Sequence, residues 1–169
     1  MTAILVTKNK YHVKLTSDRQ VTTDDTLKSP TNFKVRRVQE RIYLASSGST
    51  DLIADTYCLL RSFNFEGTKS KLKFRLKRYL RYIASTHTGK MDALLVVRDF
   101  VLRIRIADNS VLVSPEKFPC ATGSGGDLAL AAFLAGADPE KSVDIACTLD
   151  PYSGLGVKST LFNVKKKAK

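Results

Sequence analysis

Tryptophan is absent from this 169-residue chain, histidine occurs twice and cysteine three times. His12 and His87 stand alone, so no His-based zinc cluster can be assembled from them. Cys58, Cys120 and Cys147 are widely spaced, form no Cys-x-x-Cys pair and are odd in number. That excludes a disulfide framework and predicts reduced, mostly buried thiols in a cytoplasmic protein. Glycine (9) and proline (5) are too few for a low-complexity or collagenous chain. No apolar run approaches the ~20 residues that cross a bilayer. The opening Met1-Thr2-Ala3-Ile4-Leu5-Val6 has neither the basic start nor the long apolar stretch of a signal peptide. Acidic residues are also scarce, 16 Asp+Glu against 28 Lys+Arg, giving a formal charge of +12.

What is present is enough apolar residue, 43% of the chain, to bury a core. The length predicts one domain over residues 1–164, followed by a basic tail at 165–169. Short β-branched runs predict strands at Ala3–Thr7 and His12–Thr16, with Lys8-Asn9-Lys10 as a turn, and again at Phe33–Val38 and Ile42–Ser46. The polar stretch Thr22–Thr31 reads as a loop. Thr50 or Asp51 is placed to cap a helix whose apolar stripe is Leu52, Ile53, Thr56, Leu59 and Leu60. A second helix after Gly67 aligns Leu72, Leu76, Tyr79, Leu80 and Ile83. Strands follow at Leu94–Val97, Val101–Ile106 and Val111–Val113. Cys120–Gly126 reads as a small-residue turn into an apolar helix, Asp127–Ala135. Pro139 after Asp138 starts another helix through Thr148, and Val157–Val164 is the last strand. Runs of strands and then runs of helices predict layered α+β packing rather than alternating βα units.

Gly123-Ser124-Gly125-Gly126 precedes a helix but has neither a Walker lysine nor a full GxGxxG. It is better read as a tight turn with close strand–helix approach. Thr2 offers different chemistry. Once Met1 is trimmed, it carries an α-amine and a β-hydroxyl on one residue. An α-amine with pKa near ~7.7–8.0 can act as base toward its own hydroxyl. Such a nucleophile needs a nearby cation and a carboxylate to orient that cation.

Asp18 follows Thr2 by sixteen residues and Lys34 by thirty-two. These spacings, the two opening hairpins, the Gly48-Ser49-Thr50 helix entry and the Gly123–Gly126 turn together resemble the proteasome β-subunit family. Its bacterial HslV-type threonine peptidases are similar in length and in the Lys34-Val35-Arg36-Arg37 segment. The resemblance spans nearly the whole chain. It implies an N-terminal nucleophile hydrolase fold, a four-layer αββα sandwich of the α+β class, and threonine-type endopeptidase activity.

Carried over position by position, it implies Thr2 as nucleophile, Lys34 as the cation beside it and Asp18 as the carboxylate orienting Lys34. It implies Gly48 as the oxyanion-hole N–H donor and Ser124 as a hydroxyl near the N-terminal amine. Asp150-Pro151-Tyr152-Ser153-Gly154 resembles the Asp-x-x-Ser-Gly segment of archaeal and eukaryotic active subunits, implying support roles for Asp150 and Ser153. HslV differs there, so the chain mixes features of two branches. Val21, Asn32 and Ser46 fall where the resemblance puts the substrate pocket. No cofactor is implied beyond a structural mono- or divalent cation near Cys147, Asp150 and Ser153. The implied partners are copies of the chain in stacked rings, an ATP-dependent unfoldase, and unfolded protein or peptide substrates, with no membrane.

Two other readings stay open: a catalytically inactive subunit that builds or gates such an assembly, and a basic nucleic-acid-binding module. The second rests on Lys69–Arg81, where seven basic residues interleave with Phe74 and Tyr79, next to Tyr82. A solvated or interfacial face on an amphipathic helix is the simpler account, and such a surface could also meet an acidic partner, such as a docking ATPase or the neighbouring subunit.

Overall fold

A computed structural model describes residues 2–23, 26–28 and 34–164. Two compact units emerge, one from residues 1–35 with 117–169 and one from Arg36–Glu116. Both combine an antiparallel sheet with two helices, the α+β character expected from the element order.

In the first unit, β1 (Ile4–Lys8) and β2 (His12–Asp18) form the opening hairpin. Asn9 shapes the turn by accepting the backbone N–H groups of Tyr11 and His12 through its side chain, 2.8 Å each. β1 also pairs with β10 (Cys120–Thr122), and β2 with β11 (Val157–Asn163), giving the sheet order β10-β1-β2-β11. Two helices, α3 (Gly126–Leu134) and α4 (Pro139–Leu149), lie on this sheet. Small residues dominate the contact: Ala3, Leu5 and Ala121 meet Ala129, Val143 and Ala146. Such side chains let helix and strand backbones approach closely. The start of α4 is fixed by the Asp138 side chain, which accepts the Lys141 N–H at 2.9 Å, with Pro139 in the first turn.

In the second unit the sheet runs β5-β6-β7-β8-β9, from Val35–Gln39, Ile42–Gly48, Met91–Val97, Phe100–Ala107 and Ser110–Glu116. Consecutive strands are neighbours throughout. The β8–β9 turn places Asp108 and Asn109 both at positive φ, the geometry of tight hairpins. α1 (Thr50–Ser62) and α2 (Lys69–Thr86) bury Leu52, Ile53, Leu60, Leu72, Leu76, Leu80 and Ile83 against Leu44, Leu95, Leu102 and Ile104. The apolar stripes expected from the 3.6-residue period are therefore the core-facing ones. Among the described residues, no helix is long and apolar enough to cross a membrane.

Several expectations need correction. The stretch expected to be a loop contains β3 (Val21–Thr23) and β4 (Thr26–Lys28), paired with each other. Cys120–Thr122 is a strand because β1 offers it a partner, Ile4 opposite Thr122. Ser49, rather than Thr50 or Asp51, precedes α1 and makes no side-chain cap. Tyr79 is half exposed and rests edge-on against Phe63 instead of joining the buried stripe. Cys58 is exposed and Cys147 partly so; only Cys120 is buried, and none of the three forms a disulfide among the described residues. The tail at 165–169 lies outside the described residues.

Candidate active site

Strand register brings the candidate residues of the first unit together. Thr2 and Ala3 enter β1, and the β1–β2 pairing of Ile4 with Ser17 sets Ala3 beside Asp18 at the end of β2. The two residues are locked reciprocally: Asp18 N–H donates to Ala3 O at 3.0 Å, and Ala3 N–H donates to Asp18 Oδ1 at 2.9 Å. On the other side, the β1–β10 pairing of Ile4 with Thr122 runs Thr2 along the Gly123–Gly126 turn. There Gly125 N–H donates to Thr2 O at 3.2 Å.

The turn is built for that approach. Gly123 has φ 89°, and a Cβ on it would sit 1.9 Å from the Thr2 carbonyl oxygen. A Cβ on Gly125 would stand 2.9 Å from the Ala3 methyl and 3.0 Å from Asp150 Oδ2. Reading this segment as a close-approach turn, not a phosphate loop, agrees with its geometry.

Lys34 immediately precedes β5 and reaches Asp18 with its ammonium 2.7 Å from each carboxylate oxygen. Asp18 also accepts the backbone N–H groups of Gln20 and Gly154, both at 3.2 Å to Oδ2. Thr2, Asp18 and Lys34 are all buried. Burial pushes the Lys34 amine below its ordinary pKa, while the charge and hydrogen bonds of Asp18 resist that fall. The result is an amine less firmly protonated than a surface lysine, held in place by its carboxylate.

A second carboxylate cluster adjoins the first through the Ser153–Gly154 step. Asp150 Oδ2 accepts the hydroxyls of Ser124 at 2.6 Å and Ser153 at 2.7 Å, and Oδ1 accepts Tyr152 N–H at 3.1 Å. Burial pushes the Asp150 carboxyl up, but the two hydroxyls and the Tyr152 N–H outweigh it and hold the pKa below the usual value. Asp150 therefore ties the Ser124 turn to the loop that carries Gly154 to Asp18.

Cys147, on α4, borders both clusters; burial first, then the nearby Asp18, pushes its thiol up to about 11. Asp150 Oδ2 is occupied by two hydroxyls, and its carbonyl accepts Ser153 N–H at 3.1 Å. Among the described residues no group of three or more His, Cys, Asp or Glu is placed to hold a metal. The cation implied by the resemblance near Cys147, Asp150 and Ser153 would therefore rest on backbone carbonyls rather than on a cluster of side-chain ligands.

Gly48 and Ser46 belong to the second unit, on β6. Gly48 takes φ 120°, and a Cβ there would lie 2.1 Å from the Lys90 carbonyl oxygen, so its backbone is held against the start of β7. Ser46 is buried, and its hydroxyl has no hydrogen-bond partner among the described residues. Val21 lies on β3, and Asn32 falls outside the described residues.

Sequence reasoning missed the main-chain donors that finish the Asp18 cluster, at Ala3, Gln20 and Gly154. Main-chain N–H groups carry no residue signature. Gly154 alone left a trace, as a glycine whose Cβ would stand 2.7 Å from Gln20 Oε1.

No family model matches the chain. Among solved structures, it is similar to the eukaryotic HslV of Trypanosoma brucei, with TM-score 0.71 and 21% identity over 95% of this chain and 99% of that one. It is also similar to BPH of Thiobacillus denitrificans in complex with epoxomicin, with TM-score 0.77 and 18% identity over 97% and 100% of the two chains. BPH of the same organism in a second structure gives TM-score 0.76 and 18% identity, over 96% of this chain and 98% of that one. At these identities the likeness is one of fold. The chain has an HslV-like fold of antiparallel sheets and four helices, in line with the family resemblance of its sequence.

Proposed function

We propose that this chain is the subunit of a self-compartmentalised, HslV-like threonine endopeptidase. The observation that supports the reading best is the buried Lys34–Asp18 pair, 2.7 Å at both oxygens, fastened directly to the residue after Thr2. A fold shared by chance with peptidases would not require a buried cation at that spot.

Removal of Met1 exposes the Thr2 α-amine. The amine takes the proton of Thr2 Oγ as the oxygen attacks a peptide carbonyl, and the leaving amine receives a proton as the C–N bond breaks. The acyl group then sits on Thr2 as an ester. Water attacks the ester with the α-amine again as base, releasing the acid and restoring the hydroxyl. Lys34 contributes positive charge that favours the unprotonated amine and the developing alkoxide. Asp18 positions Lys34, and Gly125 N–H fixes the Thr2 carbonyl so that the hydroxyl keeps one orientation. Ser124, Asp150 and Ser153 brace that turn.

The working form is then a cytoplasmic assembly of stacked rings of identical chains, acting on unfolded proteins or peptides delivered by an ATP-dependent unfoldase. Intact mass of the purified chain tests the first requirement. The expected result is loss of Met1, an epoxomicin adduct on Thr2, and hydrolysis of an unstructured casein substrate that Thr2→Ala and Lys34→Ala abolish. Retained Met1 together with no adduct and no hydrolysis would refute the proposal.

A further inference from the structure

α2 is the most basic element in the chain, and nothing in the proposed chemistry uses it. Its sequence, from Lys69 to Thr86, contains no acidic residue. Part of its charge is committed inside the second unit. Arg75 donates to the carbonyls of Asn64 at 2.8 Å and Glu66 at 3.0 Å and covers the Phe63 ring, while Lys69 lies over Phe100. Those contacts pin the first turns of the helix to the Phe63–Glu66 stretch before it and to β8.

The outer face is different. Phe74 is 71% exposed and Tyr82 74%, against a fully buried Leu72, Leu76 and Leu80 on the opposite side. Lys71, Arg78 and Arg81 are exposed on the same outward face, and none of them pairs with a carboxylate among the described residues. Two large aromatic rings left in water on one helix cost hydrophobic free energy that a monomer gains nothing from.

The spacing is informative. Lys71, Phe74, Arg78 and Arg81 follow one another by three, four and three residues, with Tyr82 beside Arg81. That 3–4 spacing is one along which a second helix can pack, a row of about 16 Å from Lys71 to Tyr82 at about 1.5 Å per residue. A phosphate chain would be served by any spread of cations, whereas the Phe74 ring set among cations on a 3–4 row, with Tyr82 at its end, suits the side chains of a partner helix. The partner must bring negative charge to this seam. The chain's own helices do not supply it. α1 carries Asp51 in its first turn and Arg61 in its last, and its Asp55 faces His87 at 3.3 Å. α4 has Glu140 paired with Lys14 and Asp144 with Lys141, and α3 carries only Asp127. Two copies meeting through α2 would oppose like charges.

We propose that the outer face of α2 docks an acidic amphipathic helix of a different protein. Its Asp or Glu side chains lie opposite Lys71, Arg78 and Arg81, and its apolar side chains close around Phe74 and Tyr82. The charges steer and set register, and the two rings hold the complex by leaving water. This surface is independent of Thr2, so its test stands or falls apart from the peptidase reading.

The probe is a fluorescein-labelled helical peptide of roughly three heptads with Leu at d and Glu at a and e. Its anisotropy is read against the full-length chain at about 0.15 M salt. The expected result is binding that Phe74→Ala/Tyr82→Ala and Arg78→Glu/Arg81→Glu each weaken by about tenfold or more. A Glu→Gln version of the peptide should fail to bind, and oligo(dT) should not compete. These side chains are exposed, so circular dichroism should show the variants folded like the parent. No binding, or binding indifferent to the loss of both rings, overturns the proposal. Oligo(dT) binding more tightly than the peptide, with the same sensitivity to the variants, also overturns it and assigns the face to nucleic acid.

Discussion

Lys34 holds both carboxylate oxygens of Asp18 at 2.7 Å, with side-chain exposures of 7% and 0%. The two partners are not equally provided for. Asp18 also receives the N–H groups of Ala3, Gln20 and Gly154. Removing one member of a buried pair typically costs about 3–5 kcal/mol. Asp18→Ala should fall at the upper end, because it strands three backbone donors as well as an ammonium. Lys34→Ala should cost less, since the carboxylate keeps its three N–H bonds. Urea unfolding of the two variants checks the order, and equal losses would show that the backbone donors contribute nothing.

The Asp150 cluster gives a pH dependence of defined sign. Its carboxyl has a depressed pKa in the folded chain because Ser124, Ser153 and Tyr152 N–H outweigh burial. A depressed acid contributes stability that is present above the unfolded value, about 3.9, and is lost as pH falls through the folded value. Ser153→Ala removes one of these hydrogen bonds. The stability gap between parent and variant should therefore be widest near neutral pH and narrow below about pH 4. A gap that stays constant from neutral pH to pH 3 would mean that the serine acts through packing instead.

Much of this arrangement is legible in the sequence, and the parts that are not share a cause. The Leu72, Leu76 and Leu80 stripe and the β-branched hairpins announce themselves because period and burial coincide locally. β10 is three residues long, too short for any period, and is a strand only because β1 lies beside it more than a hundred residues away in sequence. β3 and β4 are three residues each and half threonine, too short and polar for a strand period to show. Thr2, Asp18 and Lys34 stand out by resemblance, since neither spacing alone brings a cation to a carboxylate. Their meeting depends on hairpin register and on the entry to β5. The donors at Ala3, Gln20 and Gly154 are main-chain groups, available at nearly any residue type, so only the folded geometry identifies them.

The three thiols should differ in reactivity. Cys58 is exposed on α1, Cys120 is buried in β10, and the Cys147 thiol is pushed up to about 11 by burial and by nearby Asp18. Alkylation proceeds through the thiolate, so a raised pKa and poor access both slow it. Iodoacetamide at pH 8 should modify Cys58 first, with Cys120 and Cys147 modified only in denaturant. Peptide mass mapping reads the order directly, and early modification of Cys147 would contradict its placement beside Asp18 and Lys34.

Two glycines separate backbone strain from contact with the candidate nucleophile. Gly136 follows α3 at φ 103° with nothing within 4 Å of where a Cβ would stand, whereas Gly123 at φ 89° would drive a Cβ to 1.9 Å from the Thr2 carbonyl oxygen. Gly136→Ala should lose only the cost of a left-handed alanine, about 1–2 kcal/mol. Gly123→Ala carries that same cost and in addition forces Thr2 away from the Gly125 N–H that holds it. It should be the more destabilising of the two by thermal melting. If its fold is retained, it should also lose epoxomicin labelling of Thr2 while Gly136→Ala keeps it. Equal melting temperatures and equal labelling would mean that the turn can yield without moving Thr2, and that its close approach does not position the hydroxyl.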